Sequence, residues 1–230
     1  MVNIILVDNY LKILNEIGRW KIISLKDLYK NLKVKESYVM FTKRVKSLEE
    51  EGFLKSLTGT NRCKYVHLTF NGMKYSKTDV PLIEKSTMNH DLITTTVINK
   101  LLDHETFLAG NIPVYEDGVR LEPDGILHGV KNGHDFTMAL EVELTQKSKR
   151  RVIEKLVEYA ESRDFDYCLY VMNKESVFKS YQKIINSMES DIKRKIVFLL
   201  DKELSSRDFN FLDAECYFDE ENRKFGEVIG

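Results

Sequence analysis

Four carboxylates on two adjoining segments are the side chains in this sequence best placed to do chemistry. The segments flank Asn132-Gly133, the strongest short signal for a β-hairpin in the chain, which predicts a type I′ turn. With that turn, Asp124 is predicted to lie opposite Glu141, and Glu122 opposite Glu143. Because strand side chains alternate, all four carboxylates then share one face of the hairpin, and apolar residues share the other.

A face with four carboxylates needs compensation, because like charges directly across strands destabilise a sheet. Two interpretations are open. Oxygen ligands at this density suit Mg²⁺ or Mn²⁺, whereas a solvated acidic face would need no ion. His128, near Asp124 on the same face, is either a further ligand or a structural histidine.

Basic residues open the helix predicted after the acidic strand. They are Lys147, Lys149, Arg150 and Arg151. They would either hold a DNA strand over the carboxylates or only neutralise them, since a helix N-terminus disfavours cations.

The elements that must position these residues follow from periodicity. From His90 the pattern predicts helix 90–103, strands 112–116, 120–130 and 135–144, helix 148–162, strand 166–172, helix 175–190 and strand 195–200. The last two strands are continuously apolar, as buried strands that follow helices are. An antiparallel start that runs into βαβ predicts a mixed sheet in an α+β protein.

The first 80 residues show a different pattern. Apolar residues at helical spacing predict a first helix that ends at Gly18, a second that begins after Ser24, and a third that begins near Glu36 or Ser37 and closes at Gly52. Two short helices and a tight turn before a longer helix are typical of a helix-turn-helix.

Two alternating segments, 53–57 and 64–68, follow around a polar tip and predict a second hairpin. The whole resembles winged-helix DNA-binding domains, and the run from Leu68 to Tyr75 resembles their strand-to-helix end, where a Thr caps the last helix. The resemblance implies double-stranded DNA as partner. Its DNA-contacting residues would be Ser37, Tyr38, Lys43, Arg44 and Lys46 on helix three, and Arg62 and Lys64 on the wing. Winged helices also serve as protein-docking modules, which is the alternative.

Charge distribution supports two domains. Residues 1–80 hold 15 Lys/Arg and 8 Asp/Glu, whereas the rest hold 20 and 28, so the first part is basic and the second acidic. Pro81 lies in a stretch without periodicity. We therefore expect a winged-helix domain at 1–78, a linker at 79–89 and a second domain at 90–230.

Composition bounds where the protein works. The sequence has 43% hydrophobic and 31% charged residues, no apolar run long enough to span a membrane, and no basic leader at its start. Its three cysteines, Cys63, Cys168 and Cys216, fit neither a disulfide framework nor a metal clip. We expect a cytoplasmic protein.

The acidic hairpin resembles the PD-(D/E)xK signature of restriction-endonuclease-like folds, through Glu122-Pro123-Asp124-Gly125 and Glu141-Val142-Glu143. The predicted element order also matches their αβββαβ core. The resemblance implies that Asp124 and Glu141 hold a divalent metal ion that polarises the scissile phosphate. The third position, usually Lys, is Glu143, so that Lys147 beyond the strand or Lys155 on the next helix is the candidate replacement.

A narrower resemblance covers nearly the whole chain. A winged helix, His90 at the start of the next helix, Pro-Asp-Gly in one strand, Leu-Glu-Val-acidic in the next, and a helix with Lys155 and Tyr159 resemble the replication-relaxation family of plasmid and mobile-element proteins. It implies a DNA-binding accessory protein of replication, relaxation or mobilisation, with other replication or transfer proteins as partners. A Mg²⁺-dependent endonuclease or nickase and a winged-helix transcriptional regulator are the alternatives, and a homodimer is left open.

Overall fold

The computed structural model describes residues 8–59, 62–76, 83–84, 86–115 and 121–230. The chain forms two compact units, Met1–Thr95 and Thr96–Gly230. Helix α5 (Met88–Leu101) contributes residues to both. The predicted linker, residues 79–89, lies largely outside the described residues, so the predicted domain bounds stay a prediction.

The first unit has the helix and strand order of a winged helix. Its elements before α5 are α1 (Asp8–Trp20), β1 (Ile22–Ser24), α2 (Leu25–Leu32), α3 (Tyr38–Glu50), β2 (Leu54–Thr58), β3 (Lys64–Leu68) and α4 (Phe70–Met73). They form a three-stranded antiparallel sheet in the order β1-β3-β2. The three predicted helices and the predicted hairpin are all present in these residues.

Local sequence explains most of these ends. The Ser24 side chain accepts a hydrogen bond from the Asp27 backbone N–H and caps α2. Thr69 caps α4 in the same way through the Gly72 N–H, and Gly52 follows α3 at φ +77°. The prediction that Gly18 ends α1 is wrong, because the helix continues until Trp20 is fully buried in the core.

The second unit is built on one mixed sheet. Its further elements are β4 (Phe107–Asn111), β5 (Gly125–Lys131), β6 (His134–Glu143), α6 (Lys149–Glu161), β7 (Tyr167–Met172), α7 (Glu175–Asn186), α8 (Ser190–Lys193), β8 (Ile196–Leu200), β9 (Glu215–Phe218), β10 (Glu221–Lys224) and α9 (Phe225–Ile229). Seven strands lie in the order β10-β9-β8-β7-β6-β5-β4. The neighbours β6, β7 and β8 are parallel, and the other strand pairs are antiparallel.

The hairpin between β5 and β6 follows the predicted register. Asn132 and Gly133 adopt φ of +53° and +78°, as a type I′ turn requires. Pairing runs from Lys131↔His134 to Gly125↔Leu140, with His128 opposite Thr137 as expected. The alternation of faces deduced from the sequence therefore applies along the whole paired length.

Other strand predictions need correction. The strand predicted at 112–116 is wrong: β4 lies earlier, at Phe107–Asn111, and residues 112–115 are irregular. The residues of β4 pair with β5 because Gly110 lets the side chain of Ile98 approach the sheet; a Cβ there would lie 2.7 Å from Ile98 Cγ2. The strand predicted at 120–130 begins only at Gly125, and β9 and β10 were not predicted.

Helices cover both faces of the sheet in the second unit. Ile98 of α5 packs against Gly110 and Gly125 on one face. On the other face, α6 and α7 pack against β6, β7 and β8 around a large apolar cluster that includes Leu156, Phe178 and Phe198. The acidic face of β6 therefore points into a protein layer. None of the helices in the described ranges is long and apolar enough to cross a membrane.

Candidate functional site

One face of α3 is exposed, and the opposite face fixes the helix in the first unit. Phe41, Val45 and Leu48 are fully buried. Val39, Lys43, Lys46 and Glu50 follow one another at helical spacing along the exposed side. We call Val39, Met40, Lys43 and Lys46 the α3 surface.

The start of α3 is held by local contacts. The Ser37 side chain accepts a hydrogen bond from the Met40 N–H at 3.3 Å and caps the helix. Tyr38 packs edge-on against Tyr29, with ring centroids 5.2 Å apart. Both predicted contact residues are exposed, but each also has a role in fixing the first turn.

The predicted DNA-contacting cations fall into two groups. Lys43, Lys46 and Arg62 are exposed, and Lys46 lies 3.4 Å from Glu50 in a solvated pair that is worth little. Arg44 Nη2 lies 3.0 Å from Glu36 Oε2, and Lys64 Nζ lies 2.6 Å from Glu49 Oε2, each in a partly buried pair. The charges of Arg44 and Lys64 are therefore largely compensated inside the unit.

The wing places Arg62 at the end of the β2–β3 hairpin, where it adopts φ +62°. Gly59 N–H donates to the Cys63 carbonyl at 2.8 Å and closes the loop. Thr60 and Asn61, predicted as part of the tip, lie outside the described residues. Arg62 is the exposed cation that the described wing adds to the α3 surface.

In the second unit, Asp124 and Glu141 lie side by side beyond the last β5–β6 pair. The predicted pairing of Asp124 with Glu141 and of Glu122 with Glu143 is not part of the ladder, which ends at Gly125↔Leu140. Instead, Asp124 Oδ2 accepts a hydrogen bond from the Val142 N–H at 2.7 Å. The chain leaves the ladder here because Pro123 has no N–H to donate.

Glu141 is buried and its two carboxylate oxygens accept bonds from α6. Lys155 Nζ donates to Oε2 at 2.7 Å, and the Tyr159 hydroxyl donates to Oε1. Only 6% of Glu141 is exposed. The side chains of Lys155 and Tyr159 reach the same carboxylate because residues four apart share one face of a helix.

The pKa directions follow from this burial. Burial raises the pKa of Glu141 to about 7, and Asp124 adds to the rise, whereas Lys155 and Tyr159 oppose it. Burial pulls the pKa of Lys155 down, but Glu141 and then Asp124 outweigh it, so the net direction is upward. Lys155 is therefore a permanent ammonium that faces a carboxylate able to take up a proton near neutral pH.

Glu143, two residues on, is held in the same layer by different partners. It is 9% exposed. The Tyr181 hydroxyl of α7 donates to its Oε2 at 2.8 Å, and Lys147 Nζ lies 3.5 Å from Oε1. Sequence reasoning missed Tyr181, although its position on the apolar face of α7 is a signal of burial. We call Asp124, Glu141 and Glu143 the acidic cluster.

The acidic cluster is a poor fit to a divalent metal ion as it is arranged. Within the described residues, no group of three or more His, Cys, Asp or Glu side chains is placed to hold a metal. Both oxygens of Glu141 accept bonds from protein donors. An ion bound by Asp124 and Glu141 would have to displace the ammonium of Lys155, which supplies the positive charge at this place.

The remaining sequence candidates lie at the periphery. Arg150 is exposed and pairs with Glu154 at 2.7 Å, and Lys149 and Arg151 are exposed as well. His128 is exposed, and its Nδ1 lies 3.3 Å from Thr137 Oγ1. These contacts do not bring any of the four side chains into the acidic cluster.

The chain thus combines a winged-helix unit with an α+β unit on a seven-stranded mixed sheet. No protein-family model and no curated protein matches the sequence. Among solved structures, the chain is similar to a mutant of the E. coli protein MarR in complex with operator DNA, with 25% identity and a TM-score of 0.29 over 31% of this chain and 51% of that chain.

Two further similarities concern other proteins. One is the adhesin competence repressor AdcR from Streptococcus pyogenes, with 25% identity and a TM-score of 0.29 over 44% of this chain and 69% of that chain. The other is the restriction endonuclease FokI, with 12% identity and a TM-score of 0.28 over 76% of this chain and 40% of that chain. The chain spans about half of the MarR chain and less than half of FokI.

Proposed function

We propose that this protein binds double-stranded DNA through α3 and the β2–β3 wing, and that its second unit is a nuclease-like accessory module. The observation that carries the proposal is the α3 surface: Lys43 and Lys46 project from the exposed side of a helix whose other side is locked into the core. A rigid helix with exposed cations on one face suits the major groove and its flanking phosphates.

Electrostatics supports the same partner. The first 80 residues carry an excess of Lys and Arg over Asp and Glu, and Arg62 adds an exposed cation on the wing. Contacts to phosphates release condensed counterions, so that affinity falls steeply with salt. Glu50 bounds the cationic stretch at the end of α3, which favours approach of DNA to the beginning and middle of the helix.

The accessory role rests on the acidic cluster. Glu141 is neutralised within the protein by Lys155 and Tyr159, and Glu143 by Tyr181 and Lys147. A cluster whose charges are already balanced is suited to a structural layer beneath a second DNA or partner surface. The order of motifs, which resembles the replication-relaxation family, extends the proposal to plasmid or mobile-element replication, relaxation or mobilisation.

The affinity of the full chain for a 40-base-pair duplex of random sequence, followed by fluorescence anisotropy across salt concentrations, tests DNA binding. We expect log affinity to fall linearly with log salt. A double variant K43A/K46A should lower the magnitude of that slope by about 2, since each lost phosphate contact contributes roughly 0.9. The matched control K174A/K183A removes two exposed lysines from the second unit. A parent slope near zero would refute DNA binding.

A Mg²⁺- or Mn²⁺-dependent endonuclease is the second candidate. It is favoured by one observation: Lys155 Nζ lies 2.7 Å from Glu141, beside Asp124, so that an acid pair and a lysine meet. This candidate requires the ion to bind Asp124 and Glu141 and Lys155 to leave Glu141. Supercoiled plasmid incubated with either ion separates the candidates. The accessory role predicts no nicking, whereas nicking lost in Asp124→Ala would establish the endonuclease.

A further inference from the structure

The first turn of α3 exposes an apolar run that the phosphate contacts leave unexplained. Tyr38 is 43% exposed, Val39 63% and Met40 52%. Single exposed apolar residues are ordinary on protein surfaces, but three in succession are costly to solubility unless they bind something. The run lies next to Lys43 on the α3 surface, so apolar and cationic contacts would be made together.

The chemistry of these side chains restricts what they can recognise. Ser37 already uses its hydroxyl oxygen to cap the helix, and Tyr38 is fixed against Tyr29. Val39 and Met40 offer no strong hydrogen-bond donor or acceptor. They therefore cannot match the polar edge of a guanine, cytosine or adenine, but they can match the C5-methyl group of thymine in the major groove.

The charges on the same face argue for DNA rather than a second copy of the chain. Lys43 lies one helical turn after Val39, and Lys46 follows a turn later. Two copies joined through this face would bring the same lysines against each other, and like charges at an interface are costly. Phosphates beside the groove would instead be attracted to both lysines while the helix N-terminus reaches the bases.

We propose that Val39 and Met40 read thymine through its C5-methyl group, so that the protein prefers sites rich in A·T pairs. The inference rests on the proposed DNA binding and deepens it. Val39 and Met40 determine specificity, whereas Lys43, Lys46 and Arg62 supply affinity that is independent of sequence.

Duplex polymers that differ only in the methyl group test the inference. The affinity of the full chain is measured for 40-base-pair alternating dA-dT and dA-dU duplexes at one salt concentration. Burial of one methyl group corresponds to about fourfold in affinity. We expect the parent to bind the thymine duplex at least about fourfold more tightly, and the variant V39A/M40A to lose most of that ratio with an unchanged salt slope.

The control is Leu108→Ala, which removes a similarly exposed apolar side chain, 66% exposed, from the second unit and should leave the ratio unchanged. Thermal unfolding by circular dichroism checks that all variants fold. A parent that binds both duplexes equally, or a ratio that survives in V39A/M40A, overturns the inference but leaves DNA binding intact. A free protein whose mass changes in V39A/M40A also overturns it, in favour of a protein interface. No salt-dependent binding by the parent overturns the proposed function itself.

Discussion

Replacing Lys155 by Met should destabilise the protein strongly at alkaline pH and weakly at acidic pH. The side chain of Glu141 is 8% exposed, and Lys155 is its only ionic partner in the described residues. Removing one member of a buried ion pair typically costs about 3–5 kcal/mol, because the other charge stays buried alone. Lys155 is 30% exposed, so we expect a loss of about 3 kcal/mol at pH 8.5.

The pH dependence follows from the raised pKa of Glu141. Its ordinary value is 4.5 and its folded value is about 7. A carboxyl with a raised folded pKa stabilises the fold fully below pH 4.5, and that contribution is lost as pH rises through about 7. At about 1.4 kcal/mol per pKa unit, the loss in the parent is about 3 kcal/mol. In Lys155→Met the carboxyl protonates at still higher pH, so the variant should lose less than about 1 kcal/mol at pH 5.5.

Urea unfolding followed by circular dichroism at pH 5.5 and 8.5 measures both losses. The control is the double variant E141Q/K155M, in which the amide needs no cation. It should be more stable than Lys155→Met at pH 8.5 and nearly independent of pH in this range. An equal loss at both pH values, or a loss below 1 kcal/mol at pH 8.5, would refute the conclusion that Lys155 neutralises Glu141.

Three further changes test the packing around the sites. Tyr181→Phe deletes the donor to buried Glu143 and should cost about 1.5–3 kcal/mol in urea unfolding. Thr69→Ala removes the cap of α4 and should cost about 1 kcal/mol in thermal unfolding. Gly133→Ala should cost only about 1 kcal/mol, because φ is +78° but the space is open. Gly129→Ala should cost about 3 kcal/mol or more, because the new Cβ would lie 2.4 Å from a backbone oxygen. Equal losses in the two alanine variants would contradict the packing described for β5.

Local chemistry made parts of the structure predictable. Asn132-Gly133 defines its turn from two residues, and the turn defines the register of β5 and β6. Ser24, Ser37 and Thr69 cap helices through their own side chains, so that these helix starts are visible in the sequence.

The missed strands depend on contacts between distant segments. The residues of β4 include Ala109 and Gly110, which have low β-propensity, and they form a strand because Ile98 packs against the glycine. The turn between β9 and β10 uses Asp219 and Glu220 at positive φ, without the Asn-Gly signal. All four residues of β10 are exposed, so no alternation marks it.

The chemistry of the acidic cluster was only half predictable. Alternation correctly placed Glu141 and Glu143 on one face of β6. Whether that face met water, an ion or protein depended on how α6 and α7 pack, which no local pattern encodes. Lys155 and Tyr159 were visible as a pair four residues apart, but their shared contact with Glu141 required the tertiary structure.

Site-specific photo-cross-linking tests the central claim, DNA binding through α3, most directly. A photoreactive amino acid replaces exposed Lys43 on the α3 surface or, as a control, exposed Lys174 in the second unit. The full chain is then irradiated with a labelled 40-base-pair duplex rich in A·T pairs. We predict a covalent protein–DNA product from position 43 that disappears at high salt, and little from position 174. A product from position 174 with none from position 43 would contradict the account.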